Sequence, residues 1–217
     1  MPFGALQFII IISASYATTK LRIKSAILLA LVVPVIAGLA VLYAIPHTKA
    51  NVGPLLAGYY LLAFLFGGNP VLISWIVGNT AGTTKKSAIM SAFNAGSAVG
   101  NIVGPLIFNS ATAPTYHPGL QTVLGIFIAL AACTVIQAAY LMFLNKSQER
   151  RRVRNGKPAK IIDHSMETHY HDAAEQVDSD MAITEGDAEI AHGHQKVGEN
   201  AFLDMTDRQN DEFVYIY

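Results

Sequence analysis

Apolar residues run in long blocks through the first two thirds of the chain, over about 2–19, 25–45, 53–78, 88–108 and 121–144, separated by short polar intervals. The blocks lack the period-two alternation of a strand with one wet face. Each approaches the roughly 20 apolar residues that a helix needs to cross a hydrocarbon layer about 30 Å thick. Backbone amides inside such a layer must bond within their own segment, which leaves helices. The pattern therefore predicts an all-α membrane protein with five transmembrane helices, followed by a polar tail. The run Phe3–Ile12 lies near the start but lacks the basic leading region of a secretory signal, and Pro2 suits the first position of a helix.

Charge sharpens this division. All 15 acidic residues lie at or beyond Glu149, although the formal net charge of the whole chain is zero. Residues 1–148 hold seven cations (Lys20, Arg22, Lys24, Lys49, Lys85, Lys86 and Lys146), and residues 149–217 hold the other eight. The expected organisation is thus a helical membrane domain, 1–148, and a largely disordered cytoplasmic tail, 149–217. A charged fraction of 14%, against about 25% in soluble chains, excludes an ordinary soluble domain. The cluster Arg150–Arg154 follows a membrane exit and is read as lying against anionic headgroups of the lipid bilayer, so no nucleic-acid partner is assigned. Lys and Arg are enriched in the first, third and last connections, which places those on the cytoplasmic side. The acceptor pattern Asn145-Lys146-Ser147 falls on that side as well, so no sugar is expected there.

Candidate chemistry is sparse. Five of the seven histidines (His164, His169, His171, His192 and His194) lie in the tail, where two His-x-His pairs are better read as solvated residues than as metal ligands. The single cysteine, Cys133, is expected to be a small buried hydrophobe. No nucleophile, base or metal constellation lies at a helix end, so no enzyme activity, metal or cofactor is assigned. The last stretch, Phe202–Tyr217, regains aromatic residues and is expected to dock on the membrane domain or on a partner.

The fourth span carries the best-organised polar pattern. At about 100° per residue, Asn94, Ser97, Asn101 and Pro105 share one face, and Gly96, Gly100 and Gly104 share an adjoining one. The glycines read as a helix-packing face. The asparagines fit either a substrate path or an interhelical hydrogen bond, since an amide facing lipid is costly. In the third span Tyr59 and Tyr60 are substrate-path or interfacial candidates, Asn69 is a substrate-path candidate, and Gly67, Gly68 and Pro70 predict a packing kink or a break that could gate, and Pro105 in the fourth is a further break or gating candidate. Lys85 and Lys86 mark a cytoplasmic loop. No span interior holds Asp, Glu, Lys, Arg or His, so a proton carrier is expected elsewhere in the parent protein.

The motifs Met-Pro-x-Gly-Ala at 1–5, Leu-x-Gly-Tyr-Tyr at 56–60, Gly-Asn-Thr-Ala-Gly-x-Thr-Lys at 78–85, Gly-Asn-x-x-Gly-Pro-x-x-Phe at 100–108, Ala-Pro-x-Tyr at 113–116 and Thr-Asp-Arg-x-Asn-x-x-Phe-x-Tyr at 206–215 occur in this order. In this combination the chain resembles the fungal allantoate permeases, in the anion:cation symporter branch of the major facilitator superfamily. The loop Ala17-Thr-Thr-Lys-Leu-Arg-Ile-Lys lacks the acidic residue of the superfamily's cytoplasmic signature, and Gln209 and Val214 depart from the tail motif. The resemblance implies that the five spans correspond to the eighth to twelfth helices of a twelve-helix carrier, with the eighth, tenth and eleventh lining its cavity. It also implies a plasma-membrane transporter of small organic anions such as allantoate, ureidosuccinate or nicotinate-like carboxylates, commonly with a proton. The expected product is a truncated carrier that cannot transport alone and lacks its amino-terminal half. Alternatives are a non-transporting subunit that associates with a full-length carrier and a small oligomeric channel.

Overall fold

A computed structural model describes residues 2–21, 23–159, 205–211 and 213–217. The five tail histidines and Arg22 lie outside these residues. Six α-helices form the described chain: α1 (Pro2–Leu21), α2 (Lys24–Ala44), α3 (Val52–Leu61), α4 (Leu65–Gly78), α5 (Thr83–Ile107) and α6 (His117–Arg154). The third apolar block is one continuous unit, in which a 3-10 turn at Leu62–Phe64 joins α3 to α4. Counting that unit once, four helical segments are long and apolar enough to cross a membrane. The 25 residues of α5 extend about 37 Å at roughly 1.5 Å per residue, so it too reaches across, although its glycines and amides make it less apolar.

Helix α2 is the centre of the bundle. Its Ile27, Leu28, Leu31, Val32, Val35 and Leu39 are all buried, and it packs against α3, α4 and α6, while α1 packs on α4. Two close approaches make this possible. A Cβ on Gly38 of α2 would lie 2.6 Å from the Gly58 carbonyl of α3, and one on Gly67 of α4 would lie 2.8 Å from Ile10 of α1. Lipid removes the hydrophobic drive between helices, so backbone proximity of this kind, with the dispersion contacts it permits, holds them together. The outer surface is apolar as well: Phe8, Ile136 and Phe143 are each about two-thirds exposed. Such a surface suits hydrocarbon rather than water.

Four sequence expectations shift. The helix continues through Gly67, Gly68 and Pro70, and its irregularity is the 3-10 turn one to two turns earlier. Gly67 is a packing site instead, buried against Ile10 and Ala14. Cys133 is exposed, because α6 turns Thr134, Ala138 and Leu141 toward the bundle and its neighbour faces outward. Finally, α6 does not stop near 144. Its 38 residues span about 57 Å, well beyond a hydrocarbon layer of about 30 Å, and carry Asn145–Arg154 past it as helix.

Candidate functional site

The polar face expected on the fourth span is present on α5, and it is open. Asn94, Ser97 and Asn101 are exposed, no residue of α5 is buried, and a Cβ at Gly96, Gly100 or Gly104 would meet nothing within 4 Å. Pro105 sits in the last turn of α5, which ends at Ile107. Among the described residues, then, Gly96, Gly100 and Gly104 make no close helix contact, whereas Gly38, Gly58, Gly67 and, against Phe108 after α5, Gly119 do. The other candidates lie apart from α5. Asn69 and Pro70 are exposed on α4. Tyr59 and Tyr60 join an aromatic group with α1, in which Phe3 stacks on Tyr59 at 4.6 Å and Phe66 meets Phe3 edge-on at 6.3 Å.

At the opposite end from that group, the last residues contact the start of α2, the end of α4, the first turn of α5 and the last third of α6. Residues 213–217, which are neither helix nor strand, bridge the end of α4 and the last third of α6. Asn145 of α6 donates from Nδ2 to the Tyr215 carbonyl (2.7 Å) and accepts at Oδ1 from the Tyr215 amide (2.8 Å). Asn79, just after α4, does the same for Ile216, with both contacts at 2.8 Å. The indole of buried Trp75 donates to the same Ile216 carbonyl at 2.8 Å. The Tyr217 carbonyl accepts from the Lys24 amide at 3.1 Å, satisfying a first-turn donor of α2 for which Ile23 provides no side-chain cap.

Ahead of this stretch, Asp207 is buried and receives three kinds of donor. Lys85 of α5 bonds one carboxylate oxygen and the Tyr215 hydroxyl donates to the other at 2.8 Å, while Gln148 of α6 donates to its carbonyl at 2.8 Å. Asp211 is bonded by Lys157 (3.0 Å) and Asn155 (2.9 Å), and Arg152 donates to its carbonyl at 3.1 Å. Lys157 and Asp211 form a buried ion pair, at 3% and 8% side-chain exposure, whereas Lys85 keeps 38% and is screened by solvent. Burial disfavours the charged form of Asp207, but the Lys85 and Tyr215 bonds outweigh it and hold the carboxyl below its usual range. Asp211 is likewise held low, against burial, by Asn155 and Lys157. Burial, followed by the bond to Asp207, pushes the Tyr215 phenol up.

Between α4, α5, α6 and this segment lies a cavity of about 500 Å³. Its wall is mostly apolar (Leu72, Ile76, Ile89, Leu141), with Gln137, Tyr140 and the Lys85–Asp207 pair supplying polar groups. Lys85, expected only as a loop cation, thus sits at its rim; Lys86 is half-buried beside it. Sequence reading missed Asn79, Asn145, Gln148, Asp207 and Asp211 as contact residues. The available signal was the return of aromatic residues and the tail motif at 206–215, which marked the segment without naming its partners.

Comparison with known proteins matches these features to one group. A family model described as "Sugar (and other) transporter" matches residues 3–193. An uncharacterized transporter of Schizosaccharomyces pombe is 32% identical over 129 residues, covering 59% of this chain and 24% of the relative. The MFS-type transporter cnsL of Penicillium expansum is 32% identical over 156 residues, covering 70% and 30%. A second uncharacterized S. pombe transporter is 28% identical over 115 residues, covering 53% and 21%. The matched part of the chain therefore spans less than a third of the length of these relatives. No solved structure matches. With its membrane-length helices and a family match over most of its residues, the chain belongs to the sugar (and other) transporter family of the major facilitator superfamily.

Proposed function

We propose that the chain supplies the carboxy-terminal helices of a secondary carrier for small organic anions of the allantoate, ureidosuccinate or nicotinate type, with α5 facing the solute path. The observation that carries this reading is α5 itself, a membrane-length helix with no buried residue whose exposed face holds Asn94, Ser97 and Asn101. Three hydrogen-bonding side chains on one helix face in a bilayer call for a wet or polar neighbour. Carboxylate solutes accept hydrogen bonds, and asparagine amides and a serine hydroxyl donate them. The allantoate-permease motifs, including the Asn101 motif at 100–108, support the substrate class.

In this reading the helices that complete the carrier cover Gly96, Gly100 and Gly104, and the chain alone carries nothing. Proton coupling, where it occurs, uses acidic groups outside the five apolar blocks, which contain none. The basic ends and the docked segment face the cytoplasm at the plasma membrane. The same open glycines support a second reading, a non-transporting subunit that seats α5 on an intact carrier.

Uptake of radiolabelled allantoate by cells expressing a full-length carrier that contains these residues tests the first reading. Asn101→Leu is expected to lower uptake about tenfold at unchanged surface abundance, the effect of one lost hydrogen bond of roughly 1.4 kcal/mol. Unchanged uptake kinetics would remove Asn101 from the path. Co-purification with an intact carrier, without any uptake, would favour the subunit.

A further inference from the structure

We propose that the end of α4, the first turn of α5 and the last third of α6 form a peptide-binding groove that reads the backbone of a docked segment, and that residues 205–211 and 213–217 of this chain belong to its exchangeable occupant. The recognition chemistry is that of a strand edge, supplied by side chains. An asparagine amide has a donor and an acceptor side by side, so one side chain can pair with both the N–H and the C=O of a single residue. Asn145 does so with Tyr215, and Asn79 with Ile216. Tyr215 and Ile216 are consecutive, and each is held through both its N–H and its C=O. Asparagines on two different elements, one after α4 and one on α6, grip neighbouring residues of the segment.

Backbone pairing gives affinity but little sequence preference, which the groove obtains elsewhere. Asp207 accepts from Lys85 while the Tyr215 hydroxyl donates to it, so the occupant must carry a carboxylate eight residues ahead of a tyrosine. Asp211 fills a second cationic position at Lys157. The preferred ligand is thus an acidic peptide that carries an aromatic-aliphatic pair, Tyr215-Ile216 here, beginning eight residues after its first carboxylate. Docking also has a mechanical consequence. No residue of α5 is buried, and Lys85 at its first turn is held by Asp207, so occupancy of the groove fixes the basic end of the helix that bears Asn94, Ser97 and Asn101. The inference does not depend on which solute is carried.

Trp75 is the chain's one tryptophan and bonds the occupant directly, which makes its fluorescence a local probe. The full chain is purified in nanodiscs, and iodide quenching of Trp75 is compared with that of an Asp207→Ala/Tyr215→Ala variant, whose changes lie outside the helical bundle. The variant is expected to quench severalfold more strongly. A synthetic peptide of residues 205–217 added in trans should restore the low quenching. In the same background Asn145→Leu should weaken peptide binding about a hundredfold, the loss of two backbone hydrogen bonds. Far-ultraviolet circular dichroism confirms that each variant keeps its helix content. Unchanged quenching in the first variant would overturn the docking. Failure of the peptide to restore protection in a helical variant would overturn the groove as a recognition site, and equal peptide affinity after Asn145→Leu would overturn backbone reading.

Discussion

Helices α2 and α5 have similar lengths, 21 and 25 residues, and each runs through an interior without a charged side chain, yet they are used in opposite ways. Nine residues of α2 are buried and none of α5. Glycine has a different task in each. On α2, Gly38 lies where a methyl group would strike the Gly58 carbonyl, so the absent side chain is what permits the crossing. On α5, Gly96, Gly100 and Gly104 border open space, and the helix is tied at its basic end through Lys85 and Asp207. Spacing of small residues therefore signals that a helix can be approached closely. Which helix approaches it is a separate fact, set by how the whole bundle is arranged.

The largest expected effect falls on the tie rather than on the core. Asp211→Ala removes the buried carboxylate bonded by Lys157 and Asn155, and breaking a buried pair costs about 3–5 kcal/mol. Released docking would appear as raised iodide quenching of Trp75, and an unchanged value would mean that the pair is incidental. Within the core, Gly38→Val forces α2 from α3 and should destabilise the bundle by about 3 kcal/mol, measured by unfolding in mixed micelles of increasing denaturing detergent. A neutral result would remove the Gly38–Gly58 crossing from the fold.

Acidification separates the two regions without mutation. Asp207 and Asp211 are both held below the usual carboxylate range, so they bind protons less readily when docked than when released. Their contribution is complete above the undocked pKa of about 4 and is lost as the pH falls through the depressed values. Trp75 protection should accordingly fall in acid below about pH 4, while the helix content of the α2 core, which has no acidic residue, holds. Loss of both together would show one cooperative unit. The smallest effect is expected at Gly100→Ala. It adds a methyl group in open space and replaces a poor helix former, so the chain should gain about 0.5 kcal/mol, opposite in sign to Gly38→Val. A loss instead would show that α5 already packs through its glycines.

Much of the architecture was legible in the residues. The five apolar blocks predicted helices because a bilayer leaves the backbone no other partner than its own segment, and the positions of Lys24, Lys85 and Arg150–Arg154 predicted one basic end. The amide face of α5 was legible for the same reason, since Asn94, Ser97 and Asn101 obey helical spacing whatever surrounds them. Local geometry was less so. Pro70 announced a kink or break; α4 runs through it as helix, and a 3-10 turn lies earlier, at Leu62–Phe64, where α2 packs. Cys133 looked buried from its apolar neighbours, yet the side of α6 that meets the bundle begins one residue later, at Thr134.

Sequence alone determined the elements that depend on near neighbours: where helices run, where charge stops and which residues share a helix face. These follow from a period of about 3.6 residues and from the cost of burying polar groups in hydrocarbon. Tertiary structure alone decided which glycines are crossings, and that Lys85 meets Asp207 across 122 positions and Asn79 meets Ile216 across 137. A hydrogen bond needs its partners within about 3 Å, and positions so far apart in the chain reach that distance only through the packing of everything between them.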